Sequence, residues 1–553
     1  MPMTQAMLET ASQHPQRPAI VGAEGRLTYG ELIDDSARLF AAIDGLHAAQ
    51  SRPPVPAPET RGIPITAMSV GSAYQTARFI AGLAGFRAVS ATIDPRWPLD
   101  HRVDVILSTG IGVVITDAED LAPALQERDW TGTVVGLDEF LALLETLPSA
   151  RRTQPSAAQA PHEQSSAALE PPTVRDGDEA FLMLFSSGTT SNPKAFLKTR
   201  RQYRENAAVS TAHLEPFPGV ATLAPGPVSY SLTLYAVIEC MVTGGSVHVA
   251  DAFDALALAR RVEAEHITRV VAVPAFVKAL TDAARRDHDR FGSLDLVVTG
   301  GANLPASIRD GLAAILPTVR LISYYGAAEI GFIGDSRAGD GTLISVYDGI
   351  GASIRDDSGA EVPAGDLGTL WIRAAACSDG YLAGTTDEVL VGSDGWATVH
   401  DQGRLVDGQL ELVGRAGDIA VTGGHKVALT EVERAFDGFP RLTAVCAVAV
   451  PDASLGSAVA LVVEGEAAPG VARDGGGASA EVGGASTEAG RAAAGAAGGA
   501  TKEALRRHAE RRLAPQFVPR RWYRVARLPR TVGGKIRREA TAELVVDGKA
   551  ERL

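Results

Sequence analysis

The chain has 553 residues, 52 Lys and Arg against 66 Asp and Glu for a net charge of −14, and three cysteines. That length exceeds what one hydrophobic core organises, so two or more domains are expected. With 45% apolar and 21% charged residues the composition is that of an ordinary soluble protein, and the acidity argues against nucleic acid or an anionic membrane as the main partner. Cys240, Cys377 and Cys446 lie far apart with no C-x-x-C pairing, which speaks against a disulfide framework or a zinc site. Cys240 and Cys446 read as buried small hydrophobes. The first residues lack the basic segment and apolar core of a signal peptide. No apolar run approaches the ~20 residues that span a bilayer, so a cytoplasmic protein is expected.

Residues 18–29 read as two short strands around a Glu-Gly turn, and Tyr29 opens a helix with apolar residues at 32, 39, 40 and 43. Ser51-Arg-Pro-Pro-Val-Pro-Ala-Pro is barred from helix and central strand and reads as an exposed loop. Apolar runs near 63–69, 88–93, 112–116 and 133–137 alternate with helical stretches such as 73–83. That alternation predicts a largely parallel sheet with helices on its faces. Residues 149–173, rich in Ala, Ser, Gln and Pro, read as a flexible surface linker.

Directly after it, Phe181-Leu-Met-Leu-Phe-Ser-Ser-Gly-Thr-Thr-Ser-Asn-Pro-Lys194 follows a short apolar strand at 180–185 and precedes a helix predicted over 200–211. Ser186, Ser187, Gly188, Thr189 and Thr190 crowd hydroxyls and backbone N–H groups together, which suits wrapping a phosphate chain, and Lys194 offsets its charge. The lysine follows Asn-Pro, so this is not a Walker A loop. A plain Ser/Thr/Gly turn is the competing reading.

A second α/β series follows, with strands near 247–249, 269–273, 294–298 and 320–324 and helices such as 255–265. Gly300, Gly301 and Ala302 end one strand, and the Gly pair lets a ligand approach the backbone closely. Tyr324-Tyr-Gly-Ala-Ala-Glu329 follows the next, which places Glu329 near the sheet's carboxyl edge, where ligands of open α/β sheets bind. A carboxylate there suits holding Mg²⁺ against a phosphate, and Tyr325 suits stacking on a base; a loop with one exposed acid is the alternative. From about 343 to 413 short strands and Gly-rich turns predict a β-rich subdomain. Asp401 and Arg415 suit a ribose diol and its phosphate, or are surface charges.

A smaller unit runs from 419, with a helix at 429–436, a strand at 444–450 and a helix at 502–512. It is interrupted by the Gly/Ala/Ser-rich, low-complexity residues 465–501. Leu528-Pro-Arg-Thr-Val-Gly-Gly-Lys-Ile-Arg-Arg538 carries Lys535 on a mobile basic loop, a point charge suited to a reacting phosphate and carboxylate; by composition alone it is a basic tail.

In this order, Ser186–Lys194, Tyr325–Glu329, the stretch 414–433 and Pro529–Arg538 resemble the adenylate-forming superfamily of acyl- and aryl-CoA synthetases, peptide-synthetase adenylation domains and luciferases. The resemblance covers nearly the whole chain. It implies an α/β fold: a large N-terminal domain of parallel α/β sheets over 1–413, including the β-rich part, a hinge at 414–418, and a small mobile α+β domain over 419–553. It also implies a two-step reaction. A carboxylate attacks the α-phosphate of ATP to give acyl-adenylate and pyrophosphate, then a thiol takes the acyl group and releases AMP.

By motif match, Ser186–Thr190 and Lys194 would hold the β- and γ-phosphates and Glu329 the Mg²⁺. Gly300–Ala302, Tyr325, Gly326 and Ala328 would line the nucleotide site. Asp401 would bind the ribose, Arg415 the ribose–phosphate side, and Lys535 would bridge carboxylate and phosphate before the small domain rotates and brings the loop at Thr422–Gly424 forward. Tyr230 and Phe276 would border the acid.

Four positions depart from the family pattern. Ala328 stands where a threonine usually meets the α-phosphate, Gly417 where the hinge has an acid or lysine, Asn192 where a glycine is general, and Tyr230 where His or Phe is common. The expected activity is an acid–thiol ligase that makes acyl- or aryl-CoA from a small carboxylic acid. One alternative is a freestanding enzyme that loads the phosphopantetheine of a separate acyl or peptidyl carrier protein. The other is a degenerate homologue that binds nucleotide without turnover.

Overall fold

The computed structural model describes residues 1–148, 169–186, 193–251, 254–302, 304–337, 343–422, 425–440, 442–452, 456–465, 501–513, 517–531 and 534–553. The chain divides into two compact units. One comprises Met1–Val399 and Arg404–Leu412, the other His400–Gly403 and Val413–Leu553.

In the first unit, β1 (Pro18–Gly22) and β2 (Gly25–Thr28) form the predicted hairpin around the Glu-Gly turn. Helix Tyr29–Ala48 then starts on a capping box: Thr28 Oγ1 accepts from Glu31 N, and the Glu31 carboxylate accepts from Thr28 N. Strands β3 (Ile65–Ser69), β4 (Val89–Thr92), β5 (Val113–Thr116), β6 (Thr133–Gly136), β7 (Ala180–Ser186) and β8 (Lys194–Thr199) make one sheet in the order β6-β5-β3-β4-β7-β8. All its pairs are parallel except β7 with β8. Strands β3, β4 and β5 are buried at every position, as expected where both faces are covered.

A second sheet takes β9 (Ala221–Ala224), β10 (Ser246–Val249), β11 (Arg269–Ala272), β12 (Leu296–Thr299) and β13 (Arg320–Ala327) in parallel, in the order β13-β12-β11-β9-β10-β1. β14 (Gly331–Ser336) folds back antiparallel on β13. Strands β15 (Leu343–Val346), β16 (Gly351–Arg355), β17 (Gly368–Arg373), β18 (Asp401–Val406) and β19 (Gln409–Arg415) continue that sheet as the β-rich part.

The core fills the space between sheets and helices. One cluster joins Tyr29, Leu32 and Leu39 to Phe79, Phe181, Tyr203 and Leu234, and another packs Val262, Val277 and Leu280 beneath β11 and β12. Each fully buried aliphatic or aromatic side chain contributes about 1.5–3 kcal/mol. The arrangement is the α/β architecture expected from the sequence. Of the predicted linker 149–173, residues 149–168 lie outside the described residues. Its end is docked: Pro172 is buried against Gly85, and Thr173 N donates to Gly85 O at 3.0 Å.

The second unit is built on β20 (Ile419–Thr422), β21 (His425–Ala428), β22 (Val445–Asp452), β23 (Gly456–Glu464), β24 (Arg521–Val525) and β25 (Glu551–Arg552). Helices Leu429–Arg434, Lys502–Arg512 and Arg538–Val546 accompany them. Leu505 and Ala509 of the middle helix join Val427, Leu461 and Trp522 in one core. The low-complexity stretch falls almost wholly outside the described residues, at 466–500. Among the described residues no helix is long and apolar enough to cross a membrane.

Candidate functional site

The predicted phosphate loop joins β7 to β8 as a hairpin. Ser186, half-buried, is the last residue of β7 and lies opposite Lys194, the first of β8. Ser187, Gly188, Thr189, Thr190 and Asn192 lie outside the described residues. Strand β8 itself is not legible in the sequence, because Lys-Ala-Phe-Leu-Lys-Thr has little of the β-branched character of a strand and takes its extended form by pairing with β7. It ends at a second capping box, where Thr199 Oγ1 accepts from Gln202 N and Gln202 Oε1 from Thr199 N, so helix Arg200–His213 begins there.

Side chains alternate along a strand, so Lys194, Phe196 and Lys198 share one face of β8. The segment 376–382 runs along this strand: Phe196 bridges Tyr381, and Leu382 N donates to Ala195 O at 2.8 Å. Lys194 Nζ pairs with Glu388 and lies 5.5 Å over the Tyr381 ring.

Glu329 sits in the turn between β13 and β14, two residues past the strand, which runs on to Ala327. The tight pairing at this turn depends on Gly331. Its φ is +111°, and a Cβ there would meet Asn206 Oδ1 at 2.4 Å. Glu329 is only 6% exposed. Tyr381 Oη donates to Glu329 Oε1 at 3.0 Å. The turn's main chain is held as well: Tyr235 Oη donates to Ala328 O at 3.1 Å, and Ser378 N and Lys198 Nζ donate to Glu329 O at 2.8 and 2.7 Å. The structure therefore joins Lys194 to Glu329 through Tyr381. Tyr381, Lys198 and Glu388 were missed from the sequence, where a Gly-Tyr pair, a lysine after three apolar residues and an acid in a loop carry no signal of their own.

The Gly300–Ala302 step follows β12, whose Thr299 is level with Ser323 of β13. A Cβ on Gly300 would meet the Tyr324 ring at 2.5 Å, while Gly301 has φ +77° and is exposed with Ala302. Gly300 is thus covered by that ring, and the backbone laid bare beside β13 is that of Gly301 and Ala302. Tyr325 is half-buried against the cluster of Ile330, Ile333 and Ile344, and Gly326 pairs with Phe332.

Tyr230 is the residue before helix Ser231–Thr243, whose Tyr235 reaches Ala328. Burial and then the Asp94 carboxylate push the Tyr230 hydroxyl up to about 12. Asp94 and Trp97 stand beside it, and Asp94 is clasped by Arg96, Nη2 to Oδ2 at 2.8 Å. Trp97 packs edge-on to Phe185, next to Ser186, with ring centroids 5.7 Å apart. Tyr230 thus stands beside the residues that lead into the phosphate loop. Phe276 instead lies in the core with Val277 and Leu280, because helix Pro274–Arg286 turns its apolar face inward.

The remaining predicted residues belong to the second unit. Asp401 opens β18, and Arg415 closes β19. Thr422 ends β20, and Gly423 and Gly424 lie outside the described residues. Lys535 is exposed but not on an open tail. Arg530 bridges Ile536, Thr531 N donates to Lys535 O at 2.7 Å, and Lys535 N donates to Thr531 Oγ1 at 3.2 Å. Both roots of this turn are clamped by acids. Glu464 accepts from Leu528 N and Arg530 Nη2, each at 2.8 Å. Arg538 Nε donates to Asp418 at 2.6 Å, and the same guanidinium pairs with Glu433. Asp418, one place after Gly417, is therefore the acid engaged within the predicted hinge segment 414–418.

A family model described as AMP-binding enzyme matches residues 7–382. The acyl-CoA ligase YhfT of Bacillus subtilis (strain 168), itself uncharacterised, is 26% identical over 381 residues, covering 68% of this chain and 70% of its own. Feruloyl-CoA synthase of Amycolatopsis sp is 26% identical over 475 residues, 82% of this chain and 87% of its own. The ATP-bound crystal structure of MatB from Rhodopseudomonas palustris shares the fold, with a TM-score of 0.77 at 19% identity over 99% of each chain. The chain belongs to the AMP-binding enzyme family, as an adenylate-forming, AMP-forming ligase.

Proposed function

We propose that this enzyme activates a small carboxylic acid with ATP, releasing pyrophosphate, and passes the acyl group to the thiol of CoA. The observation that carries the reading is the chain of contacts from Lys194 through Tyr381 to Glu329: a cation from the phosphate hairpin and a fixed, buried carboxylate organised as one unit. Among the described residues no three His, Cys, Asp or Glu gather as a metal cage. A single carboxylate such as Glu329 is nevertheless the donor set that suits Mg²⁺ carried in by a nucleotide's phosphates, because Mg²⁺ keeps waters and phosphate oxygens as its other ligands. Mg²⁺ bound there would neutralise phosphate charge. Lys194 would take the β- and γ-phosphates together with Ser186, Ser187, Gly188, Thr189 and Thr190.

The Gly300–Ala302 step, exposed at Gly301 and Ala302, with Tyr325, Gly326 and Ala328 would receive the adenine. Tyr230, whose hydroxyl stays protonated in the physiological range, would donate toward the acid. In the second unit Asp401 and Arg415 would serve ribose and phosphate. Lys535, on its clamped turn, is the cation we assign to the step that joins two anions, where positive charge has most to stabilise.

The test is mass spectrometry of purified protein with ATP, Mg²⁺ and a panel of carboxylic acids, with and without CoA. Acyl-CoA formed from one acid class is the expected result. Acyl-adenylate that persists in the presence of CoA would redirect the acceptor to a carrier protein's phosphopantetheine. No adenylate with any acid of the panel would count against catalysis.

A further inference from the structure

Lys198 is a lysine the proposed chemistry does not use, and it is 2% exposed. Its Nζ donates to Glu329 O at 2.7 Å and to Ala376 O at 2.6 Å. Among the described residues no acidic side chain is in hydrogen-bond contact with it; Glu329, Asp379 and the Cys377 thiol face it at longer range. Of these, Asp379 accepts from Gln202 Nε2 at 3.0 Å, and burial pushes the Cys377 thiol up to about 11, which leaves it neutral.

A structural plug need not be charged. An apolar side chain of the same volume would fill this position without the cost of desolvating an ammonium, and such replacements are often neutral or stabilising. That cost is visible here, since burial pushes the Lys198 ammonium down to about 8. What the ammonium does, and an apolar group cannot, is tie two carbonyls together. One belongs to the turn that carries Glu329, the other to the segment that carries Tyr381. The two lysines on one face of β8 thus converge on the same acid. Lys194 reaches its carboxylate through Tyr381, and Lys198 reaches its main chain directly.

We propose that Lys198 is a positioning residue of the metal–nucleotide site, holding the Glu329 turn against the Tyr381 segment so that the Glu329 carboxylate is fixed where Mg²⁺ needs it. This rests on the reading of Glu329 as the Mg²⁺ carboxylate, so Glu329→Gln is measured alongside. The variants are Lys198→Met, which fills the space without donors, and Lys198→Gln, whose shorter amide reaches at most one carbonyl. Each is titrated calorimetrically with Mg²⁺ plus α,β-methylene-ATP, and separately with AMP in chelator; thermal unfolding reports the fold.

The expected result is that Lys198→Met weakens binding of the Mg²⁺ complex tenfold or more while AMP binding stays within twofold. Lys198→Gln should fall between it and the parent at about threefold, and Lys198→Met should unfold no earlier than the parent. A merely structural lysine predicts another pattern, in which affinity follows stability and both ligands are affected alike. The proposal is overturned if Glu329→Gln loses the Mg²⁺ complex but a folded Lys198→Met keeps it within twofold, or if AMP binding falls in step. Should Lys198→Met fail to fold, Lys198→Gln decides: a threefold or larger loss confined to the Mg²⁺ complex supports the proposal, and no loss overturns it. If Glu329→Gln leaves the Mg²⁺ complex unaffected, the metal reading of Glu329 is what fails.

Discussion

Replacing Arg269 with methionine is expected to destabilise the first unit by about 3–5 kcal/mol, the range for stranding one partner of a buried ion pair. Arg269 is 1% exposed and Glu239 3%, and Arg269 Nη2 meets Glu239 Oε2 at 2.9 Å. Arg269 Nε also donates to Leu214 O at 3.0 Å, which ties β11 to the end of helix Arg200–His213. Removing the guanidinium leaves a carboxylate inside the protein with its counter-charge gone, near the half-buried Tyr324 on which Gly300 packs. For a unit of about 400 residues, with ~2.1 cal/mol/K of unfolding entropy per residue, that loss lowers the unfolding temperature by about 4–6 °C.

Glu239→Leu should cost a similar amount for the mirror-image reason. The double variant Arg269→Met/Glu239→Leu should recover most of it, because neither charge is then left alone. Differential scanning calorimetry of the four proteins closes the cycle. The reasoning is refuted if each single change shifts the transition by less than about 1 °C, or if the double variant falls by the sum of the two.

Glu388→Gln should lower the KM for ATP by about 1.4- to fivefold, since the half-exposed pair with Lys194 is worth about 0.2–1 kcal/mol and phosphates must displace it. AMP, which lacks the outer phosphates, should bind as before, and an unchanged or higher KM for ATP would contradict the assignment. Lys535→Ala should slow pyrophosphate release about 10²–10³-fold while leaving nucleotide affinity within about threefold; a fall of less than tenfold would remove Lys535 from the chemical step.

The Lys198 ammonium titrates near 8 in the fold against 10.5 for the free group, so between those values the unfolded chain holds more protons and stability rises with pH. The burial penalty is therefore present below pH 8 and relieved above it. In urea denaturation, the parent should gain about 2 kcal/mol on Lys198→Met between pH 7 and 9.5. A pH-independent difference would show that the lysine is not buried charged.

The order of strands and helices was legible because periodicity is a local property. The buried runs at 65–69, 89–92 and 113–116 and the helix at 73–83 announce themselves by spacing alone. The Ser/Thr/Gly run after β7 and Glu329 after β13 stood out only as candidates, since a plain turn and an exposed acid fit the same residues. Strand β8 was not legible, since six residues of weak β character become a strand only by pairing with β7.

Lys535 looked like part of a basic tail because its restraints, Glu464, Glu433 and Asp418, lie from 71 to more than 100 positions earlier in the chain. By itself the sequence determined the family resemblance and the candidate residues that carry charge, hydroxyls and bare backbone. Only the tertiary structure decided which of them lie together. Tyr381 joins Lys194 to Glu329, and Lys198 places a buried charge on the Glu329 turn, through contacts between residues 52 to 187 positions apart. Distances of that kind leave no trace in local pattern.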